Sequence, residues 1–89
     1  MADSQVTATP MIFETELAST SQDVRGALDS VSGVLGLSGW NAAACGVVEL
    51  VLAEALNNIV EHAYRDCPDG HIVLRLRAGA EFADLTLHD

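Results

Sequence analysis

The chain has 89 residues, 49% of them apolar but only 4% aromatic, and its 13 acidic side chains against 4 basic ones give a formal charge of −9. That length allows one small domain hiding little more than half of its extended surface, and the apolar share excludes a disordered chain. The four arginines, Arg25, Arg65, Arg75 and Arg77, form no cationic track of the kind nucleic acid needs, and no run of about eighteen apolar residues or basic-then-apolar leader points to a membrane or to secretion. A cytoplasmic protein without direct nucleic-acid or membrane contact is expected.

Met1 to Pro10 is small, polar and unpatterned, which reads as a disordered tail ahead of a domain over 11–89. In Met11–Leu17, Met11, Phe13, Thr15 and Leu17 alternate with Ile12, Glu14 and Glu16, the pattern of a strand covered on one face. Ser19 and Gln22 are spaced as a capping box. A helix over Thr20–Leu35 is predicted from Val24, Leu28, Val31 and Leu35, with Gly33 and Gly36 weakening its end and Gly36–Gly39 forming a turn.

A second, longer helix is predicted from Asn41 to Tyr64. Its first half, Ala42–Leu52, is apolar nearly all round apart from Glu49, so it is expected to lie pressed between the first helix and a sheet. In the second half, at about 100° per residue, Glu54, Asn58 and His62 fall on one stripe with Asn57 and Glu61 on its shoulder. Leu52, Ala55, Leu56, Ile59 and Ala63 fall opposite. Surface helices commonly mix Lys with Glu, whereas this stripe gathers two carboxylates, two amides and an imidazole with no cation, a field that attracts positive charge such as a metal ion. Such residues can also cap, bond to a loop or face water.

Asp66–Gly70 is a turn cluster. His71–Ala78 and Phe82–Asp89 then read as two strands of a hairpin joined by Gly79-Ala80-Glu81. Ile72, Leu74 and Leu76 share one face against Val73, Arg75 and Arg77, and Ala83, Leu85 and Leu87 share one against Asp84, Thr86 and His88. Side chains alternate along a strand, so Asp89 takes the inward parity of Leu85 and Leu87. The expected fold is therefore α+β, a two-layer α/β sandwich with both helices on one face of a mixed three-stranded sheet. Cys45 and Cys67 have neither Cys-x-x-Cys nor His spacing, so they are expected to be reduced and not to bind zinc.

The run Glu54-x-x-x-Asn58-x-x-x-His62-Ala63-Tyr64, preceded by Glu49-Leu50-Val51-Leu52-Ala53, resembles the N box of the GHKL (Bergerat-fold, histidine-kinase-like) ATPases. It looks most like the anti-sigma-factor serine/threonine-protein kinases, whose version ends in the same His-Ala-Tyr. The resemblance covers nearly the whole chain in element order and implies ATP and Mg²⁺ as cofactors. It makes Glu54 the general base toward a partner's Ser or Thr, Asn58 the Mg²⁺ ligand, His62 a lining residue at the phosphate end and Asp89 the acceptor for the exocyclic amine of adenine. It implies an anti-anti-sigma partner or sigma factor, and a homodimer through the first strand or helix. The remaining glycines of the Asp-x-Gly-x-Gly box, the lid and the second glycine box would follow Asp89, so the 89 residues are expected to be the N-terminal part of such a domain, truncated after the third strand and binding ATP weakly on their own. A GHKL-like binding module is the alternative reading. A sensor histidine kinase fragment ranks last, since no phosphoacceptor helix with a His precedes the domain.

Overall fold

The computed structural model describes residues 10–63 and 70–88. The element order is β1 (Met11–Ala18), α1 (Ser21–Leu37), α2 (Ala42–Ala63), β2 (His71–Ala78) and β3 (Ala83–His88). This is an α+β arrangement of two helices on a three-stranded sheet. Of the expected tail only Pro10 is described, and of the turn Asp66–Gly70 only Gly70; Tyr64, Cys67 and Asp89 lie outside the described residues.

The sheet has the order β1-β2-β3, and both pairings are antiparallel. The expectation of a mixed sheet is therefore corrected. Two helices separate β1 from β2; each crosses the domain end to end, so the chain is back at the end where β1 finished and β2 runs opposite to it, and the hairpin turn then reverses the chain once more. The register aligns Phe13, Leu76 and Leu85 in one inward row and Thr15, Leu74 and Leu87 in the next. Ile72, Leu74, Leu76 and Ala78 are 0% exposed, whereas Arg75 and Arg77 between them are exposed. One face is covered and the other wet, as the alternation in the sequence requires.

α1 buries Val24, Ala27, Val31 and Leu35, with Leu28 half-buried beside them. Its cap lies one residue later than the sequence suggests: Thr20, not Ser19, is the N-cap, and its Oγ1 accepts the Asp23 N–H at 3.1 Å. Asp23 in turn accepts the Ala18 N–H at 2.9 Å, tying the helix start back to the end of β1. Gly33 and Gly36 do not end α1, which runs to Leu37. The stop is a Schellman arrangement, in which Gly39 (φ +100) donates to Gly36 O and Trp40 donates to Leu35 O. Only a residue tolerant of positive φ closes that turn without strain.

Asn41 stands just ahead of α2 and caps it, its Oδ1 accepting the Ala44 N–H at 2.8 Å. Leu52 and Leu56 are 3% and 0% exposed, and Val48, Ile59 and Val60 pack beside them. The helices are joined by polar contacts as well. Ser32 Oγ donates to Glu49 Oε2, and the Cys45 thiol, which is free and half-buried, reaches the Ser32 carbonyl at 4.0 Å.

The first half of α2 is not pressed between α1 and the sheet, contrary to the sequence reading: Val47, Leu50 and Val51 are 63%, 65% and 64% exposed. A helix has only so much circumference. α1 takes one flank and the hairpin the side of Leu52 and Leu56, so the remaining apolar side chains stay largely exposed at the edges of these contacts. By length and composition Ala42–His62 also passes as a membrane span, but Leu52 and Leu56 close the core of the domain and Glu49, Glu54 and Glu61 recur along the helix.

Candidate functional site

The core contacts of α2 fix its rotation, and that rotation decides where the polar stripe goes. With Leu52 and Leu56 turned to the core, Glu54, Asn58, Glu61 and His62 all emerge exposed. Glu54, Asn58 and His62 lie one turn apart along one side of the helix, close enough for neighbouring side chains to share one ligand. Asp89, the fourth residue expected at the site, lies outside the described residues, so it is not placed relative to this stripe.

Asn57 diverges from the stripe. It lines an open groove of 450 Å³ between the two helices, shared with Ser21, Arg25 and Glu49. The stripe itself holds no cation, but on the shoulder where Asn57 sits, Arg25 stands across that groove.

A second groove, of 360 Å³, runs along the other flank of α2 toward β3 and is lined by Val47, Val48, Val51, Leu52, Ala55, Leu85 and Leu87. Leu85 and Leu87 are only half-buried, while their partners Leu76 and Leu74 on β2 are fully covered. The spacing of Val47, Val51, Ala55 and Asn58 makes the apolar groove wall and the polar stripe one continuous line along the helix. A ligand on this flank meets hydrocarbon first and then a carboxylate and an amide.

Among the described residues no three His, Cys, Asp or Glu side chains converge as a cation cage. On the stripe and its shoulder the oxygen donors are the amide of Asn58 and the carboxylates of Glu54 and Glu61, with the His62 imidazole one turn beyond Asn58. Hard oxygen donors in such small number fit Mg²⁺, which keeps waters and takes much of its coordination from phosphate oxygens. The three or four converging His, Cys or carboxylate ligands of a zinc site are not gathered among the described residues.

Sequence reasoning missed the tie between α2 and the hairpin. The indole N–H of Trp40, just ahead of α2, donates to the Gly79 carbonyl at 2.8 Å. A half-buried indole needs an acceptor, so the demand was visible in the sequence, but the acceptor, 39 positions away, was not. The turn it grips runs from Gly79 to Phe82, one residue longer than expected, and closes with Gly79 N–H donating to Phe82 O at 2.9 Å.

The profile of the histidine kinase-like ATPase domain matches residues 17–89, from the end of β1 through both helices and the hairpin. No individual curated protein matches the chain. The match includes the whole of α2 and its exposed stripe, and it implies ATP binding. The chain belongs to the histidine kinase-like ATPase domain family.

Proposed function

We propose that the protein is an ATP-dependent serine-protein kinase of the anti-sigma type, acting in the cytoplasm within a partner-switching pathway. The observation that carries the reading is the exposed, cation-free stripe Glu54-Asn58-His62 on α2, inside the segment matched by the ATPase family. When bound, Mg-ATP supplies the transferable γ-phosphoryl group. Glu54 would accept the proton of the partner's seryl or threonyl hydroxyl as that oxygen takes the γ-phosphoryl group and ADP departs with the bridging oxygen. Asn58 holds Mg²⁺ through its amide oxygen, His62 lines the phosphate end, and Asp89 accepts from the exocyclic amine of adenine. The substrate is an anti-anti-sigma protein and the sequestered target a sigma factor; the −9 charge argues against direct nucleic-acid contact.

Incubating the protein with γ-labelled ATP and a Ser-bearing anti-anti-sigma partner tests this. Acid-stable label on a serine supports the proposal. Acid-labile label on a histidine transfers the protein to the sensor-kinase class, and no label under conditions of demonstrated ATP binding removes the kinase. The second reading, a binding module in which nucleotide only orders the fold, is favoured by the exposed Val47, Leu50 and Val51 and by β1, an edge strand of the sheet among the described residues. Such surfaces mark contact sites. We further propose a homodimer through β1 or α1.

A further inference from the structure

Glu54 and Asn58 sit on α2, and the flank they border is closed on the other side by β3. The angle between α2 and β3 therefore sets the width of the cleft at the polar stripe. Val48, Leu52 and Ala55 of α2, which line this cleft with Leu85 and Leu87, are apolar, and apolar contacts are non-directional. They resist separation far better than they resist a small swing.

Trp40 supplies a directional contact. Its indole N–H grips Gly79 O at 2.8 Å, its backbone N–H grips Leu35 O at 3.0 Å, and its neighbour Asn41 caps α2. One residue thus ties the end of α1, the start of α2 and the turn that opens β3. The turn is itself stiffened. Phe82 lies so close over Gly79 that an added Cβ would come within 2.6 Å of its ring, while the Arg77 guanidinium sits 5.4 Å from that ring centroid and pairs with Asp84 at 3.3 Å. α2 and β3 both start at this pin and run away from it. From Trp40 to Asn58 the helix extends about 27 Å at 1.5 Å per residue, so a tilt of about 5° at the pin displaces Asn58 by about 2 Å.

We propose that Trp40 is a positioning residue for the nucleotide cleft: its indole bond to Gly79 fixes the angle between α2 and β3 and so places Glu54 and Asn58. The inference rests on reading that stripe as the nucleotide-facing one. A displacement of this size exceeds the tolerance within which a phosphoryl-transfer site works.

The test is a distance measurement without nucleotide. Spin labels are placed at Glu61→Cys and Thr86→Cys, both exposed positions, in a protein with Cys45→Ala and Cys67→Ser. The distance distribution is compared between Trp40 and Trp40→Phe at a temperature where circular dichroism shows both fully folded. The proposal expects a single narrow distribution for Trp40 and, for the variant, a mean shifted by about 2 Å or a clearly broadened one. An unchanged distribution accompanied by a lower melting temperature assigns Trp40 a purely structural role and overturns it. Should Trp40→Phe not fold, replacement by benzothienylalanine keeps the bicyclic ring and removes only the N–H, and the same two outcomes decide. An Asn58→Ala protein that binds Mg-ATP as wild type does, together with the widened distribution in Trp40→Phe, keeps the pin and loses the nucleotide reading, so the two claims fail separately.

Discussion

Leu56→Ala and Leu50→Ala together test the rotation of α2, on which the exposure of the stripe depends. Leu56 is 0% exposed and Leu50 is 65% exposed, yet both are leucines on one helix with similar intrinsic helix cost on truncation. Emptying the Leu56 site removes the transfer energy of the lost methyl groups and leaves a cavity among tightly packed neighbours, a cost of about 3–5 kcal/mol. A chain of this length has a total stability on the order of 4–13 kcal/mol, so the variant loses a large share of it. With about 4–8 °C lost per kcal/mol in a domain of this size, the melting temperature falls by at least about 12 °C. Leu50→Ala changes stability by no more than about 0.5 kcal/mol. Urea titration followed by far-ultraviolet circular dichroism measures both, and the single tryptophan, Trp40, gives a second probe of the same transition. Equal destabilisation by the two variants, or a larger effect at Leu50, would mean that α2 is rotated and that Glu54 and Asn58 do not face outward.

Thr20→Ala removes the side-chain acceptor at the start of α1 and is expected to cost about 1 kcal/mol, read as a parallel shift of the urea midpoint. Gly79→Ala drives a methyl group into the Phe82 ring and destabilises the hairpin; adding Phe82→Ala restores part of the loss, and a double variant no better than Gly79→Ala would place the strain elsewhere. Light scattering of the protein is expected to give a dimer mass, and a clean monomer removes the homodimer proposal.

Most of the fold was legible because periodicity reports burial directly. The 2-residue alternation of Ile72-Val73-Leu74-Arg75-Leu76-Arg77 could be satisfied only by a sheet wet on one side, and Leu52 and Leu56 marked the inward face of α2 before any coordinates. What the sequence hid was non-local. Strand direction depended on counting two helical crossings between β1 and β2. The exposure of Val47, Leu50 and Val51 depended on which neighbours reach that flank, and composition alone predicts burial for any apolar helix. Ser19 and Thr20 are equally good caps by type, and the choice was settled by the position of Asp23 relative to Ala18. The stripe itself was legible by spacing, whereas the Trp40–Gly79 contact had no local signature.

The central claim is that Glu54 and Asn58 divide the work of one site, base and metal ligand. Calorimetric titration with Mg-ATP of wild type, Glu54→Gln and Asn58→Ala, each paired with a phosphotransfer assay, tests it most directly. The account predicts that Glu54→Gln keeps an affinity close to wild type while phosphotransfer falls below detection, and that Asn58→Ala loses both, because the ion no longer joins protein to phosphate. An active Glu54→Gln enzyme, or an Asn58→Ala protein that binds Mg-ATP as tightly as wild type, would contradict it.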